Sequence, residues 1–385
     1  MIINSISMLK RISLTLCFLY TAFIVSFACT SAIIGADMNP YGRPLLWKNR
    51  DTSTTDNKIE YIKGQNGQHS YVALFNANDK DLKEAWMGMN DMGFAIMNTA
   101  SYNIKDDNVP EKDMDKEGIV MTRALQSCIT VEDFQNLLDS LPKPLGVEAN
   151  FGVIDAYGEG AFFETNNDKY VVYYLKDAPE NVLIRTNYSH SGRKEEGYGF
   201  IREANAIHEL QPYIIEKNIT PEVLTEYVSR SFWHDLFKKD FSKEDDKWVI
   251  DQDFIPRYKT TATIVIEGCK PLENGAHINP GFITDEYIMW TGLGYPPCAD
   301  IFPVLCSPDG IENSLRGLGT NGHSSQGDIV KQRRDEVFPF HKGNGDKYID
   351  MDRLRNEQGT GYLQTLVPKN LEVYKTVRKK RDRAL

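Results

Sequence analysis

Positive charge, histidine and long apolar runs are all in short supply. The 385-residue chain has 44 Lys and Arg against 54 Asp and Glu, a formal charge of −10. That balance argues against nucleic acid and anionic membrane surfaces as partners. After residue 28 no run approaches the about 20 apolar residues a membrane span needs, so no membrane partner is expected of the mature form. The seven histidines, His69, His190, His208, His234, His277, His323 and His341, are scattered. None pairs at metal-ligand spacing and Cys-x-x-Cys is absent, so no metal is expected. Without G-x-S-x-G, a nucleophilic serine of the α/β-hydrolase kind is unsupported. One G-x-G-x-x-G exists, at Gly317, Gly319 and Gly322. It follows no apolar strand and opens no hydrophobic helix, so it reads as a loop. Regular strand–helix alternation is missing, which disfavours a doubly wound nucleotide-binding fold.

What is present begins with a leader. Lys10 and Arg11 are the only charges in the first 28 residues, followed by an apolar run from Ile12 to Phe27. Ser26-Phe27-Ala28 puts small residues three and one before a cut, as a secretory cleavage site requires. Residues 1–28 are therefore expected to be a signal peptide and residues 29–385 a single domain, secreted or periplasmic. Two other fates stay open. A lipoprotein would carry lipid on Cys29, although Ser26 and Phe27 suit that processing poorly; the leader could also remain as an anchor. Loss of Lys10 and Arg11 takes the mature charge from −10 to −12. Cys17 leaves too, and Cys29, Cys128, Cys269, Cys298 and Cys306 remain. Cys298 with Cys306 is the nearest candidate pair for a disulfide in an oxidising compartment; buried free thiols are the alternative.

Cleavage makes Cys29 the first residue. An N-terminal cysteine carries a thiol nucleophile and, in its α-amine of pKa about 8, a base. The residues after it read as a hairpin. Ser31–Ile34 is small and apolar, Asn39-Pro40-Tyr41-Gly42 is a turn, and Pro44–Trp47 leads into Lys48-Asn49-Arg50-Asp51. That geometry returns Asp51 to the chain start. Strands are expected at 71–75, 94–98, 151–155, 160–164, 170–175, 182–185, 260–267 and 286–290. Helices are expected at 118–140 (broken at Thr130, with Asp133 in the capping-box position), 203–217, 222–238, 349–355 and 371–381. The last is basic and reads as a solvated surface helix. Grouped strands and grouped helices give an α+β class.

Cys29 opens an apolar, strand-like segment, unlike a papain-type cysteine, which opens a helix. Cys29-Thr30, followed by a strand–turn–strand ending in Lys48-Asn49-Arg50-Asp51, resembles the N-terminal-nucleophile hydrolases of the choloylglycine hydrolase and penicillin acyltransferase type. Further likenesses follow in order: Gly88-Met89-Asn90-Asp91-Met92-Gly93-Phe94, Asn98, the hairpin with Asp155 and Glu164, Arg185-Thr186-Asn187-Tyr188, and Pro256-Arg257 before Thr260. Trp290–Cys298 looks closer to the acyltransferase-like branch. Lys48 departs from the arginine usual in choloylglycine hydrolases, and lysine cannot fork onto a carboxylate. Arg50 is the alternative, with strand alternation left to decide where it points. Singly, Asp51 would read as a solvated turn residue and Asn187 as a turn cap.

The resemblance implies a four-layer αββα sandwich of two antiparallel sheets between helices. It implies that Cys29, Asp51, Asn187 and Arg257 are catalytic, that Lys48, Arg50 and Asn98 bind substrate, and that no cofactor is needed. The implied reaction is hydrolysis of a linear amide through a thioester, or acyl transfer if a second amine captures the acyl group. The partner is a small-molecule amide: a conjugated bile salt, a penicillin, an N-acyl amino acid or an N-acyl lactone. A non-enzymatic surface lipoprotein is the competing class. Oligomeric state is left open, a homo-oligomer included.

Overall fold

The computed structural model describes residues 29–273, 276–279, 287–340 and 347–384. The leader, with Lys10, Arg11 and Cys17, lies outside the described residues, as does Glu286 at the expected start of a strand. The chain opens with β1 (Thr30–Ile34) and β2 (Leu45–Asp51). Seven strands follow: β3 (Asn57–Ile62), β4 (Tyr71–Asn76), β5 (Met87–Asn90), β6 (Ala95–Ala100), β7 (Ala149–Ile154), β8 (Gly160–Thr165) and β9 (Tyr170–Tyr174). Next is β10 (Val182–Arg185). After it, β11 (Trp233–His234) and β12 (Lys239–Asp240) form a short ribbon, and β13 (Trp248–Ile250) pairs with the late β17 (Tyr348–Asp350). Between them run β14 (Thr260–Glu267), β15 (Ile288–Leu293) and β16 (Phe302–Val304).

Two antiparallel sheets result. One has the order β10-β1-β2-β14-β15-β16; the other is a meander from β3 to β9. Alternating side chains of β1, β2 and β14 sort between two layers. Ile33, Leu46, Ile264 and Ile266 meet Val72, Leu74, Met89, Met97 and Phe162 of the other sheet. Ala32, Leu45, Trp47 and Val265 face outward onto Ala206, Leu210, Leu224 and Tyr374. The helices Glu117–Ser127 and Val131–Ser140 cover the outer face of the meander, where Phe134 stands edge-on to Phe163 at 5.0 Å. Truncating such a buried ring costs about 3–5 kcal/mol. The expected four-layer αββα sandwich is the fold.

Local signals set several boundaries. Thr130 Oγ1 accepts from Asp133 N at 3.0 Å while Asp133 Oδ2 accepts from Thr130 N at 2.9 Å, closing the capping box. The glycine motif at 317–322 is a loop. Other expectations fail where tertiary contacts outweigh local pattern. The helix expected over 222–238 ends by Arg230, as a π-turn and a 3₁₀ turn. There Ser229 Oγ meets Trp47 Nε1 at 2.9 Å and Thr263 Oγ1 at 2.8 Å, and Arg230 donates to Ala299 O at 2.9 Å. These bonds fasten the segment to the sheet. Residues 349–355 are the end of β17 and a single turn, Met351–Leu354.

The C-terminal helix, Tyr362–Ala384, is not merely a solvated cover. Tyr374 is fully buried, packs at a tilt against Trp290 with ring centroids 4.2 Å apart, and shares a 2.6 Å hydrogen bond with Thr225. No disulfide joins Cys298 and Cys306, and all five described cysteines are buried. Those two belong to different core clusters, Cys306 between the sheets and Cys298 against Val330 and Phe338. Strands β3 and β5 were not expected. Strand β5 is Met-Gly-Met-Asn, poor in β-branched residues. It pairs between β4 and β6, with Gly88 so close to β4 that a Cβ would stand 2.6 Å from Val72 O.

Candidate active site

The nucleophile candidate sits at the head of β1, on the innermost part of the first sheet. Thr30 pairs with Asn49, so Cys29 lies beside the end of β2. Cys29 is 5% exposed, and its Sγ is 3.8 Å from the carbonyl oxygen of Asp51. Asp51 pairs with Thr260 at a bulge in β14. There Thr260 Oγ1 donates to Asp51 Oδ1 at 2.6 Å and accepts from Arg257 N at 2.8 Å. Thr260, absent from the candidates read in the sequence, therefore links Asp51 to the Arg257 backbone.

Charge at this point is held against burial. Asp51 is pushed up to about 6 by desolvation, against the opposing pull of Arg257 and Arg202. Its Oδ2 has no hydrogen-bond partner, and neither does Oδ1 of neighbouring Asn49. Two buried acceptors thus stand unpaired on the strand beside Cys29. Such groups are costly unless something donates to them.

Asn187 follows β10 and is fully buried. Its backbone forms an isolated bridge with Tyr198, which closes the loop 188–197. Its Nδ2 donates to Ala100 O at 3.0 Å, and its Oδ1 accepts from Arg202 Nη2 at 2.9 Å. The same guanidinium donates through Nη1 to Cys29 O at 2.5 Å and to Thr30 Oγ1 at 3.2 Å.

Arg202 thus bridges Asn187 and the Cys29 backbone. It lies in the first turn of the helix Phe200–Ile215, where the helix dipole disfavours a cation. It is 1% exposed and drawn down to about 10, first by burial and then by the nearby charge of Arg257. Gly199, at φ +97°, is the reason it fits. A Cβ there would collide with Arg202 Nη2 and stand 2.7 Å from Thr186 Oγ1. Sequence reasoning missed Arg202. Its local context, Phe-Ile-Arg-Glu, reads as an ordinary helix start, and only the fold reveals its partners.

Lys48 and Arg50 both point from β2 into the layer between the sheets. Alternation places positions 48 and 50 on one face, so they do not diverge. Lys48 Nζ donates to Asn98 Oδ1 at 2.9 Å and to Trp86 O at 3.0 Å. Desolvation lowers it to about 8, against the raising effect of Cys29. Arg50 donates to Asn57 Oδ1 at 2.5 Å and Asn76 Oδ1 at 2.8 Å, with its guanidinium 5.0 Å from the Trp86 ring. Burial lowers it to about 10. The fold brings all seven residues singled out from the sequence into one neighbourhood: Cys29, Asp51, Asn187 and Arg257, with Lys48, Arg50 and Asn98 beneath them. This is a buried thiol flanked by a carboxylate, an amide and several cations, a set of groups that acyl chemistry at a carbonyl can use.

Three comparisons bear on the chain. The family model "Acyl-coenzyme A:6-aminopenicillanic acid acyl-transferase" matches residues 38–250, which include Asp51, Asn187 and Arg202. No curated protein matches. Among solved structures, the chain is similar to a Caenorhabditis elegans ortholog of N-acylethanolamine-hydrolyzing acid amidase, with 15% identity, 66% of this chain and 100% of that one covered, and TM-score 0.42. It is similar to a conjugated bile acid hydrolase variant from Clostridium perfringens, with 14% identity, coverage of 74% and 95%, and TM-score 0.40. It is also similar to penicillin V acylase from Agrobacterium tumefaciens, with 12% identity, coverage of 72% and 86%, and TM-score 0.41. The family match spans more than half of the chain. The chain belongs to the acyl-coenzyme A:6-aminopenicillanic acid acyl-transferase family, within the N-terminal-nucleophile superfamily of amide-hydrolysing and acyl-transferring enzymes.

Proposed function

We propose that the chain is an N-terminal cysteine amidase that cleaves a small linear N-acyl amide, after removal of residues 1–28 on the way to a secreted or periplasmic location. The observation that carries this is the unpaired Asp51 Oδ2 and Asn49 Oδ1 beside the chain start. The α-amine created by cleavage supplies N–H donors that those acceptors lack.

Cys29 Sγ attacks the amide carbonyl, and the S–C bond forms as the thiol proton passes to the α-amine. Asp51 orients that amine. Negative charge collects on the carbonyl oxygen and is met by the N–H of Asn187 Nδ2 that does not serve Ala100 O. One such donor is worth about 3 kcal/mol of barrier. Arg202 holds the amide of Asn187 the right way round, since its donation to Oδ1 forces Nδ2 toward Ala100 and the oxyanion. The amine then returns its proton to the leaving nitrogen, the C–N bond breaks, and an acyl thioester remains on Cys29. Water attacks the thioester to release a carboxylic acid and the free thiol. Lys48 and Arg50, on the inter-sheet side, are suited to holding polar atoms of the substrate, with Asn98 positioning Lys48.

If a second amine replaces water, the same thioester gives a new amide, the kind of acyl transfer that the family's description names. The test is turnover of a panel of N-acyl amides by chain 29–385 and by its Cys29→Ser variant, with products separated in the presence and absence of a free amine. Release of acid only defines a hydrolase; a new amide defines a transferase. Turnover retained by Cys29→Ser contradicts the proposal.

A further inference from the structure

A cleft of about 460 Å³ opens away from Cys29, between β9, β10 and the helix Phe200–Ile215. That volume lies in the range of sites for small organic molecules. Its walls are largely apolar, with Val172 from β9, Leu183 from β10, and Ile207 and Ile214 from one face of the helix. At its floor is Arg185, 2% exposed.

The hydrogen bonds of Arg185 are incomplete. Nε donates to Glu164 Oε1 at 2.7 Å and Nη1 to Ile184 O at 2.8 Å, but Nη2 has no partner. Glu164 has nothing more to give it. Its Oε1 also accepts from His190 N at 2.9 Å, and its Oε2 accepts from Ser191 N at 2.7 Å and Ser191 Oγ at 2.5 Å. Every strong acceptor within the ion pair is already used, so the buried Nη2 donor is left over. The Tyr173 ring lies over the guanidinium at 4.7 Å, on the cleft side. That ring is only partly buried.

From this geometry we infer that the cleft is a second ligand site, taking a small apolar monocarboxylate with its tail along Leu183, Ile207 and Ile214 and its headgroup on Arg185 Nη2 once Tyr173 turns aside. An arginine edge matches a carboxylate in shape and charge. The other carboxyl facing the headgroup is Glu203, which hydrogen-bonds His190 Nε2 at 2.9 Å and is raised by burial to about 7. It therefore offers little negative charge below neutrality. Asp177 and Glu180 stand on the exposed rim, where solvent screens them.

The test is calorimetric titration of chain 29–385 with octanoate and, separately, with octanamide, which has the same tail and no charge. The expected result is saturable octanoate binding, at least tenfold tighter than octanamide. Binding should fall at least tenfold in Ile207→Glu, a change at a residue 47% exposed that places charge on the tail's path without touching the core. Arg185→Met should abolish the preference for octanoate; Ile207→Glu supplies the test if that buried change prevents folding. Equal affinity for the two ligands, or octanoate binding indifferent to Ile207→Glu, overturns the proposal. No turnover is needed for the measurement, so its outcome is independent of the amidase reading.

Discussion

Arg202 and Asn187 are joined by a 2.9 Å hydrogen bond whose donor also holds the carbonyl of Cys29 at 2.5 Å. One buried guanidinium therefore sets the spacing between the Cys29 backbone and the Asn187 amide, the proposed nucleophile and oxyanion donor. Arg202→Lys keeps the charge but cannot fork to both partners. A fall in kcat of about 10²–10³, comparable to loss of an oxyanion donor, is predicted, with KM changed much less. Because the two residues act as a unit, the double variant Arg202→Lys/Asn187→Ala should be little worse than Asn187→Ala alone. Additive losses in that cycle contradict the positioning role.

Asp51 gives a pH-dependent prediction for a chain that keeps a residue ahead of Cys29. Its carboxyl is raised from 3.8 to about 6. At pH 3 both folded and unfolded states hold the proton, and the group is neutral to stability. Between about 4 and 6 the unfolded chain ionises first, so stability falls as pH rises; above 6 the full penalty is present. Asp51→Asn, which preserves an acceptor for Thr260, should therefore raise the Tm of the uncleaved chain at pH 7.5 and leave it unchanged at pH 3. A shift of this size corresponds to about 3 kcal/mol at most. In the processed chain the α-ammonium stabilises the carboxylate and the gain should shrink. An equal Tm gain at both pH values contradicts the assignment.

Tyr374 tests the C-terminal helix. Its ring is fully buried against Trp290, and Arg381 of the same helix reaches buried Glu267 at 3.2 Å. Tyr374→Ala should cost about 3–5 kcal/mol, seen as a clear drop in denaturation midpoint in urea. Exposed Lys375→Ala, one residue along, should change stability by less than about 0.5 kcal/mol. Equal effects would mean that the helix is only a surface cover.

The cysteines make a simpler prediction. Thiol titration of the denatured, unreduced chain 29–385 should count five, one for each of Cys29, Cys128, Cys269, Cys298 and Cys306. Reductant should leave Tm unchanged. A count of three would indicate a disulfide.

How legible this was in the sequence depended on the range of the interaction. The β1–β2 hairpin, the Thr130 cap and the β7–β8 hairpin are local, written in turn residues and alternation within a few positions, and they appear where expected. The helix expected over 222–238 had helical periodicity but ends by Arg230, because Ser229 and Arg230 find partners in β2, β14 and the 3₁₀ turn near Ala299. Nothing near those residues in sequence announces such contacts. The site divides in the same way. The closeness of Cys29 and Asp51 was readable from a hairpin and a motif. Arg202 was not, since its meaning comes from partners 173 and 15 residues away. Lys48 and Arg50 were readable as a pair, while their shared direction needed only the period of two that a strand imposes.

The central claim is that Cys29 begins the mature chain with a free amine and carries the acyl group. The direct test is mass spectrometry of the N-terminal peptide from protein exported by its own leader, before and during incubation with a turned-over N-acyl amide. The account predicts a peptide starting at unmodified Cys29, which gains the mass of the acyl group during turnover and loses it when substrate is exhausted. A peptide starting elsewhere, a lipid on Cys29, or turnover with no acyl adduct at Cys29 contradicts it.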